Sequence, residues 1–275
     1  MSFKSSIWRN NLLNANDHIG TRDILFITFD TLRYDVAKAA MAAGQTPFLN
    51  SLLPNGKWEA RHTPGSFTYA AHHAFFAGFL PTPENGGHHE RLFALDFPGS
   101  ETTGARTLTF DKPNIISGYK ALGYHALCIG GVGFFNKLTP LGRVLPNLFD
   151  ESQWQPEFGV TDKNSPTHQL DYIAKRLDEI DSAQRLFLFL NLSAMHQPNC
   201  YYVNGAEHDT AATQGAALAA VDRALEAAAP AFQKRKWLCV FTSDHGTAYG
   251  DAGYEGHRLA HESVWRVPYA EFLWN

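Results

Sequence analysis

The stretch WLCVFTSDHG, Trp237 to Gly246, decides how the rest of the chain is read. Trp237 to Thr242 is short, apolar and rich in β-formers, which marks a buried strand. Ser243-Asp244-His245-Gly246 ends it abruptly. Side chains at the carboxyl ends of strands in an open α/β sheet line the ligand crevice. An adjacent Asp and His there supply a hard oxygen and an imidazole nitrogen, donors suited to a divalent transition ion. Asp and Gly also occur at such points purely as turn residues, so the other strands must decide. His257, twelve residues after His245 across a glycine-rich loop, is a third candidate donor.

Working outward, DILFITF (Asp23 to Phe29) is the cleanest strand, and it ends at Asp30. Thr31-Leu32-Arg33 opens a helix that runs to about Ala43 and stops at Gly44. Asp30 has two readings, a helix cap or a second carboxylate beside Asp244. Thr46-Pro47 starts a short helix through Leu53, and Lys57 to His62 is a further strand. Leu186 to Leu192 (LFLFLNL) brings Ser193 to Pro198 to the crevice side, with His196 among them. Tyr124 to Ile129 is another buried strand, and Val267 to Trp274 is the last. Helices are expected at Asn114–Leu122, at His168–Ile180 opened by Ser165-Pro166, and at Ala206–Ala229, while Pro140–Pro156 reads as irregular. The glycines of GGVGFF lack the spacing and acidic partner of a dinucleotide site. Strands alternating with helices give an α/β protein: a three-layer αβα sandwich with a mostly parallel central sheet. No repeat or linker divides residues 1–275, so one domain is expected.

Between the strands lies HTPGSFTYAAHHAFFAGFLP, His62 to Pro81. Tyr69 to Ala77 is helical, closed by Gly78, with Thr68 as the N-cap. Thr68 has two readings here, capping alone or chemistry. Backbone N–H groups and the helix dipole favour an anion at that end, a phosphate or an alkoxide, and a nearby cation favours the ionised hydroxyl. Residues 82–112 are rich in Gly, Pro, Thr and His and read as a loop inserted over the site. His72, His73, His88 and His89 are each read as structural or solvated.

Bulk properties narrow the class. The 275 residues include 13 His and carry a formal charge of -4, which gives no electrostatic reason to expect nucleic acid. Cys128, Cys200 and Cys239 are odd in number and widely spaced, so no disulfide framework is implied. The first twenty residues hold no apolar core of leader length and nothing later approaches a membrane span. The expectation is a soluble, cytoplasmic protein with no membrane partner.

Four segments in this order resemble the alkaline phosphatase superfamily, in its sulfatase, nucleotide pyrophosphatase and phosphoethanolamine transferase branches. DILFITFDTLRYD resembles the first-strand motif with its metal-binding Asp, here Asp30. TPFLNSLL resembles the segment that follows it in sulfatases. FTYAAHHAFFAGFLP resembles the nucleophile helix, whose nucleophile stands ten residues before the glycine, which is Thr68. SDHGTAYGDAGYEGHRLAHESVWRVPY resembles the second metal motif and the closing strand, with the His245-to-His257 step of the phosphoethanolamine transferases. GYHALCIGGVG and SAMHQP also have sulfatase counterparts, the latter aligning His196 with a substrate-contacting His. Formylglycine sulfatases need Cys or Ser at the nucleophile position, with Pro and Arg following at +2 and +4; this chain has Thr68, Ala70 and His72. His257 replaces the sulfatase Lys, Thr31 stands where a second Asp is usual, and the Asp-x-x-x-His pair of a second zinc site is not evident.

The resemblance implies a metal-dependent hydrolase of phosphate esters with Zn²⁺ or Mn²⁺ (alternatively Mg²⁺ or Ca²⁺) held by Asp30, Asp244, His245 and Thr68. Thr68 is the expected nucleophile, and His196 and His257 are expected to donate hydrogen bonds to the non-bridging oxygens of the transferring group, with one of them alternatively protonating the leaving group, or to hold a weaker second metal. Sulfate or phosphonate ester hydrolysis, phosphoryl transfer to an acceptor other than water, and a non-catalytic metal-binding protein are the alternatives.

Overall fold

A computed structural model describes residues 13–78 and 113–275, together with the backbone of 93–94 and 108–109. In chain order the elements are β1 (Asp23–Phe29), α1 (Tyr34–Ala42), α2 (Pro47–Leu52), β2 (Glu59–His62), α3 (Thr68–Ala77), β3 (Phe93–Ala94), β4 (Leu108–Thr109), α4 (Ile115–Ala121), β5 (His125–Ile129), α5 (Pro140–Val144) and β6 (Glu151–Gln153). They continue with α6 (Ser165–Glu179), β7 (Leu186–Leu192), α7 (Ala211–Phe232), β8 (Trp237–Thr242), β9 (Ala248–Tyr249), β10 (Glu255–Gly256), α8 (Glu262–Trp265) and β11 (Arg266–Trp274).

The central sheet runs β2-β11-β8-β1-β7-β5-β6. Strands β8, β1, β7, β5 and β6 are parallel, and β11 and β2 close one edge antiparallel. The apolar runs lack polar alternation because both faces are covered. Leu25, Ile27 and Phe29 of β1 enter the cluster with Val36, Leu170, Ile173, Leu218 and Val221 of α1, α6 and α7. Ile24 and Phe26 enter the opposite cluster with Phe76 of α3 and Ile116 and Tyr119 of α4. Strand β7 divides likewise, its leucines to the first layer and Phe187 and Phe189 to the second. The result is the expected three-layer α/β architecture.

Register brings the acids together. Thr28 pairs with Thr242 across β1 and β8, so Asp30 and Asp244, two residues further on, leave neighbouring strands at the same level. Phe29 pairs with Leu192, which sends Ser193–His196 out beside them. At the opposite end, fully buried Asp23 holds the strand starts by pairing with Arg235 at 3.1 Å and accepting from the Leu186 N–H at 2.9 Å.

Several local expectations need correction. Helix α1 starts at Tyr34, because Thr31 takes φ 60° and its hydroxyl donates to the Asp30 carbonyl, making a turn first. Residues 140–156 are not irregular: Thr139 caps α5 by accepting from the Gly142 N–H, and β6 extends the sheet beside β5. Helix α7 begins at Ala211 behind a Thr210/Thr213 capping box rather than at Ala206, and it runs on to Phe232 through Pro230. The expected strand at Lys57 is shorter, Glu59–His62. The proposed loop at 82–112, with His88 and His89, lies outside the described residues apart from the short β3–β4 pair.

Candidate metal and nucleophile centre

Asp30, Asp244 and His245 are fully buried, and each offers one donor atom such that all lie within 4.8 Å of one another. The oxygens available to a ligand follow from the hydrogen bonds already made. Asp244 Oδ1 accepts from the backbone N–H groups of Thr31 and His245, both at 3.0 Å. Asp30 Oδ2 accepts from Asn191 Nδ2 at 3.0 Å. The remaining oxygens, Asp244 Oδ2 and Asp30 Oδ1, are buried and accept from no donor. A pair of orphaned carboxylate oxygens facing one point is costly unless a cation or a shared proton lies between them.

His245 completes the set. The Gly246 carbonyl can only accept, so at 2.8 Å it fixes the proton on His245 Nδ1. The Nε2 lone pair then faces inward, 3.4 Å from Asp244 Oδ2 and 3.3 Å from Thr68 Oγ1. Gly246 permits this turn: a Cβ there would lie 2.0 Å from the Ser263 carbonyl oxygen, and its N–H donates to Val264 O at 2.6 Å. Ser243 Oγ donates to the His245 carbonyl at 2.6 Å, and Thr63 Oγ1 donates to that of Asp244. The loop carrying Asp244 and His245 is thus tied to Val264 and Thr63 and braced within itself by Ser243.

Thr68 is not the cap of α3. Phe67 occupies the N-cap position and makes no side-chain cap hydrogen bond, while Thr68 is the first helical residue. Its hydroxyl is released from capping and turned toward His245. Two carboxylate oxygens, one imidazole nitrogen and one hydroxyl oxygen make a donor set that fits a Zn²⁺- or Mn²⁺-sized cation.

Electrostatics agree with that fit. Burial, reinforced by the neighbouring Asp244, pushes the Asp30 carboxyl well above the usual range. Burial also opposes ionisation of Asp244, but His245, His72 and the two backbone N–H donors outweigh it and bring the group below its ordinary value. Without a cation the two groups are thus pushed in opposite directions, Asp30 toward the protonated form and Asp244 toward the charged one.

His257 and His196 stand beside this centre. The His257 ring centroid is 4.6 Å from that of His245 and 6.2 Å from that of His196. Burial and the adjacent imidazoles of His245 and His196 hold His257 down to about 4. His196 is lowered by burial, and its Nδ1 donates to the Gln197 carbonyl at 2.5 Å. With Nδ1–H committed to that carbonyl, Nε2 is the ring atom left to face the site. The loop carrying His257 is tied to the nucleophile turn by Arg258 N–H donating to Ser66 O at 2.9 Å.

The sequence reading missed Asn191 and Thr28, both fully buried and both in contact with this network. Their signal was present: each is a polar residue inside an apolar strand, LFLFLNL and DILFITF. His72 and His73 are buried in α3 rather than solvated.

Fold and site together describe an α/β protein of alkaline phosphatase-like architecture with an acid–imidazole–hydroxyl cluster at the strand ends. Residues 22–273 match the family model described as Sulfatase, and the chain belongs to that family. No curated protein matches it. Among solved structures, the periplasmic domain of phosphoethanolamine transferase EptC from Campylobacter jejuni is similar at 14% identity, with TM-score 0.61 over 92% of this chain and 80% of that one. A zinc complex of the Escherichia coli EptC periplasmic domain is similar at 14% identity and TM-score 0.58, over 92% and 72%. A protein of the alkaline phosphatase superfamily from Vibrio parahaemolyticus gives 16% identity and TM-score 0.56, over 91% and 60%. Membership points to an enzyme acting on phosphate or sulfate esters, in a metal-dependent superfamily. Among the described residues no helix is long and apolar enough to cross a membrane.

Proposed function

We propose that the chain is a metal-dependent hydrolase of phosphate esters, monoesters or diesters, with Thr68 as its nucleophile. One observation carries the reading: the Thr68 hydroxyl, His245 Nε2 and the two unpartnered carboxylate oxygens of Asp30 and Asp244 converge in one buried place. Asp30, Asp244, His245 and Thr68 would hold a divalent cation, which when bound would favour the ionised Thr68 hydroxyl and polarise a phosphoryl oxygen. Thr68 Oγ1 attacks phosphorus in line, the bond to the leaving oxygen breaks, and a phosphothreonine forms. Water then attacks phosphorus and releases the Thr68 oxygen with inorganic phosphate, or with a phosphomonoester when the substrate is a diester. The first turn of α3 presents its N–H groups and dipole to the developing negative charge. His196 and His257, on the open side, orient the transferring group and exchange protons with the leaving oxygen or the water.

Removing the hydroxyl tests this. Thr68→Ala is expected to abolish turnover of chromogenic aryl phosphates, phosphodiesters and sulfates while elemental analysis finds bound metal retained. Trapped wild-type protein should carry a phosphoryl group on the Thr68 peptide by mass spectrometry. Wild-type turnover in Thr68→Ala would remove Thr68 from the mechanism. The similar structures named phosphoethanolamine transferases support a second reading, in which a hydroxyl acceptor replaces water in the second step. Acceptor-dependent turnover would favour it.

A further inference from the structure

A buried chain of hydrogen bonds links the nucleophile helix to the acid cluster, and its polarity is determined throughout. It begins at the Val132 N–H, which donates to Asn191 Oδ1 at 3.1 Å and so fixes the orientation of the amide. The two N–H bonds of Asn191 Nδ2 then go to Asp30 Oδ2 at 3.0 Å and to Thr28 Oγ1 at 3.2 Å. Thr28 Oγ1, already accepting, directs its own proton to His72 Nε2 at 3.1 Å. His72 Nδ1 donates to the Thr68 carbonyl at 2.7 Å, where only an acceptor exists. Thr28, Asn191 and His72 are each 0% exposed, so water does not compete for these bonds. The ring of His72 is further wedged between Phe75, Phe135 and Phe189, with centroids 5.7, 5.2 and 5.5 Å away.

Packing alone does not account for this arrangement. A leucine or phenylalanine would fill the His72 cavity without the cost of burying an imidazole. What the imidazole adds is a rigid bridge with one donor and one acceptor, joining β1 to the first turn of α3. It also lies 3.9 Å from Asp244 Oδ2, under the cluster. Outer partners of this kind commonly set ligand orientation in metal sites.

We propose that His72 is a positioning residue which, through Thr28 and Asn191, locks the nucleophile turn in register with the Asp30 carboxylate. The relay leaves Asp30 Oδ1 as the oxygen aimed at the site and holds the Thr68 hydroxyl within reach of His245. This rests on Thr68 being the nucleophile, but its two halves can be read separately.

The test uses the full chain. Thr28→Val keeps shape and cuts the link to His72 while leaving Asn191 on Asp30. It is expected to lower kcat about 10- to 100-fold, with KM and the dissociation constants for Zn²⁺ and Mn²⁺ within about threefold of wild type. Thr28→Ser, which restores the hydroxyl, should recover most of kcat. Asn191→Leu removes the donor to Asp30 and should weaken Zn²⁺ and Mn²⁺ binding about 10- to 100-fold in chelator competition. Nitrogen-15 shifts of His72 should report the Nδ1–H tautomer in wild type and lose the Nε2 hydrogen-bond signature in Thr28→Val. Wild-type kcat in Thr28→Val, an Nε2–H tautomer, or unchanged metal binding in Asn191→Leu would each overturn the proposal. Should the wild type turn over no ester, the assignment of Thr68 fails, while the tautomer and metal-binding arms still decide whether the relay exists.

Discussion

Asp30→Asn separates a metal-binding carboxylate from a merely structural one, because the two roles predict opposite changes. Two charged carboxylates with oxygens within 4.8 Å of each other would repel by at least about 3.5 kcal/mol at an effective dielectric of about 20. The cation-free protein avoids this by keeping a proton on Asp30, whose carboxyl burial and Asp244 push upward. Asparagine has the same shape. Its oxygen can accept from Asn191 Nδ2 in place of Asp30 Oδ2, and its NH₂ then faces the unpartnered Asp244 Oδ2. That hydrogen bond takes the place of the one a proton on Asp30 makes in the metal-free wild type and, unlike it, is not lost as pH rises. The metal-free variant should therefore melt at or above metal-free wild type, by a margin that grows as rising pH forces Asp30 to ionise. Its affinity for Zn²⁺ and Mn²⁺ should fall at least about 100-fold, a loss of about 2.7 kcal/mol, and turnover should go with it. Calorimetry of chelator-treated protein and competition titration give the two numbers. A metal-free variant less stable than wild type, with unchanged metal affinity, would refute the reasoning.

Further outcomes follow from the same geometry. Asp30 must lose its proton to take a cation, so metal affinity should fall as pH drops, up to tenfold per unit below the raised pKa of Asp30, with proton release visible by calorimetry in buffers of different ionisation heat. His257, held to about 4, stays neutral over roughly pH 6–8 and adds no step there. In the metal-free protein the same Asp30 takes up a proton on folding, so its contribution to stability should decline as pH rises from about 4 toward its folded value. Gly246→Ala places a methyl group 2.0 Å from the Ser263 carbonyl oxygen and should cost about 3 kcal/mol, with metal binding lost because Asp244 and His245 immediately precede the displaced backbone. A melting temperature within a degree of wild type would show that the turn has slack.

The strands were readable because β1, β7 and β8 are buried on both faces and so are apolar without interruption. Their ends were readable because Asp30 and Asp244 break those runs abruptly. The Thr28–Thr242 register that brings the two acids level was not visible in either segment by itself. Thr68 stands out only through the resemblance of its helix to a nucleophile helix, and the structure does not make it the cap, because the extended residue before a helix is set by backbone geometry and Phe67 takes that place without a capping side chain. Edge elements such as β6 escaped notice because three residues with one exposed edge need little hydrophobic pattern. The relay through Asn191 and His72 was hidden for a different reason. A single buried polar residue in an apolar run looks like noise until its partners, more than a hundred residues away in the case of Asn191, are brought beside it.

Anomalous diffraction from crystals grown with Zn²⁺ or Mn²⁺, recorded at the metal's absorption edge, tests the central claim most directly. The account predicts a peak bounded by Asp30 Oδ1, Asp244 Oδ2, His245 Nε2 and Thr68 Oγ1. A metal-replete crystal whose anomalous peak lies elsewhere, with the Asp30–Asp244 pair still sharing its proton, would contradict it.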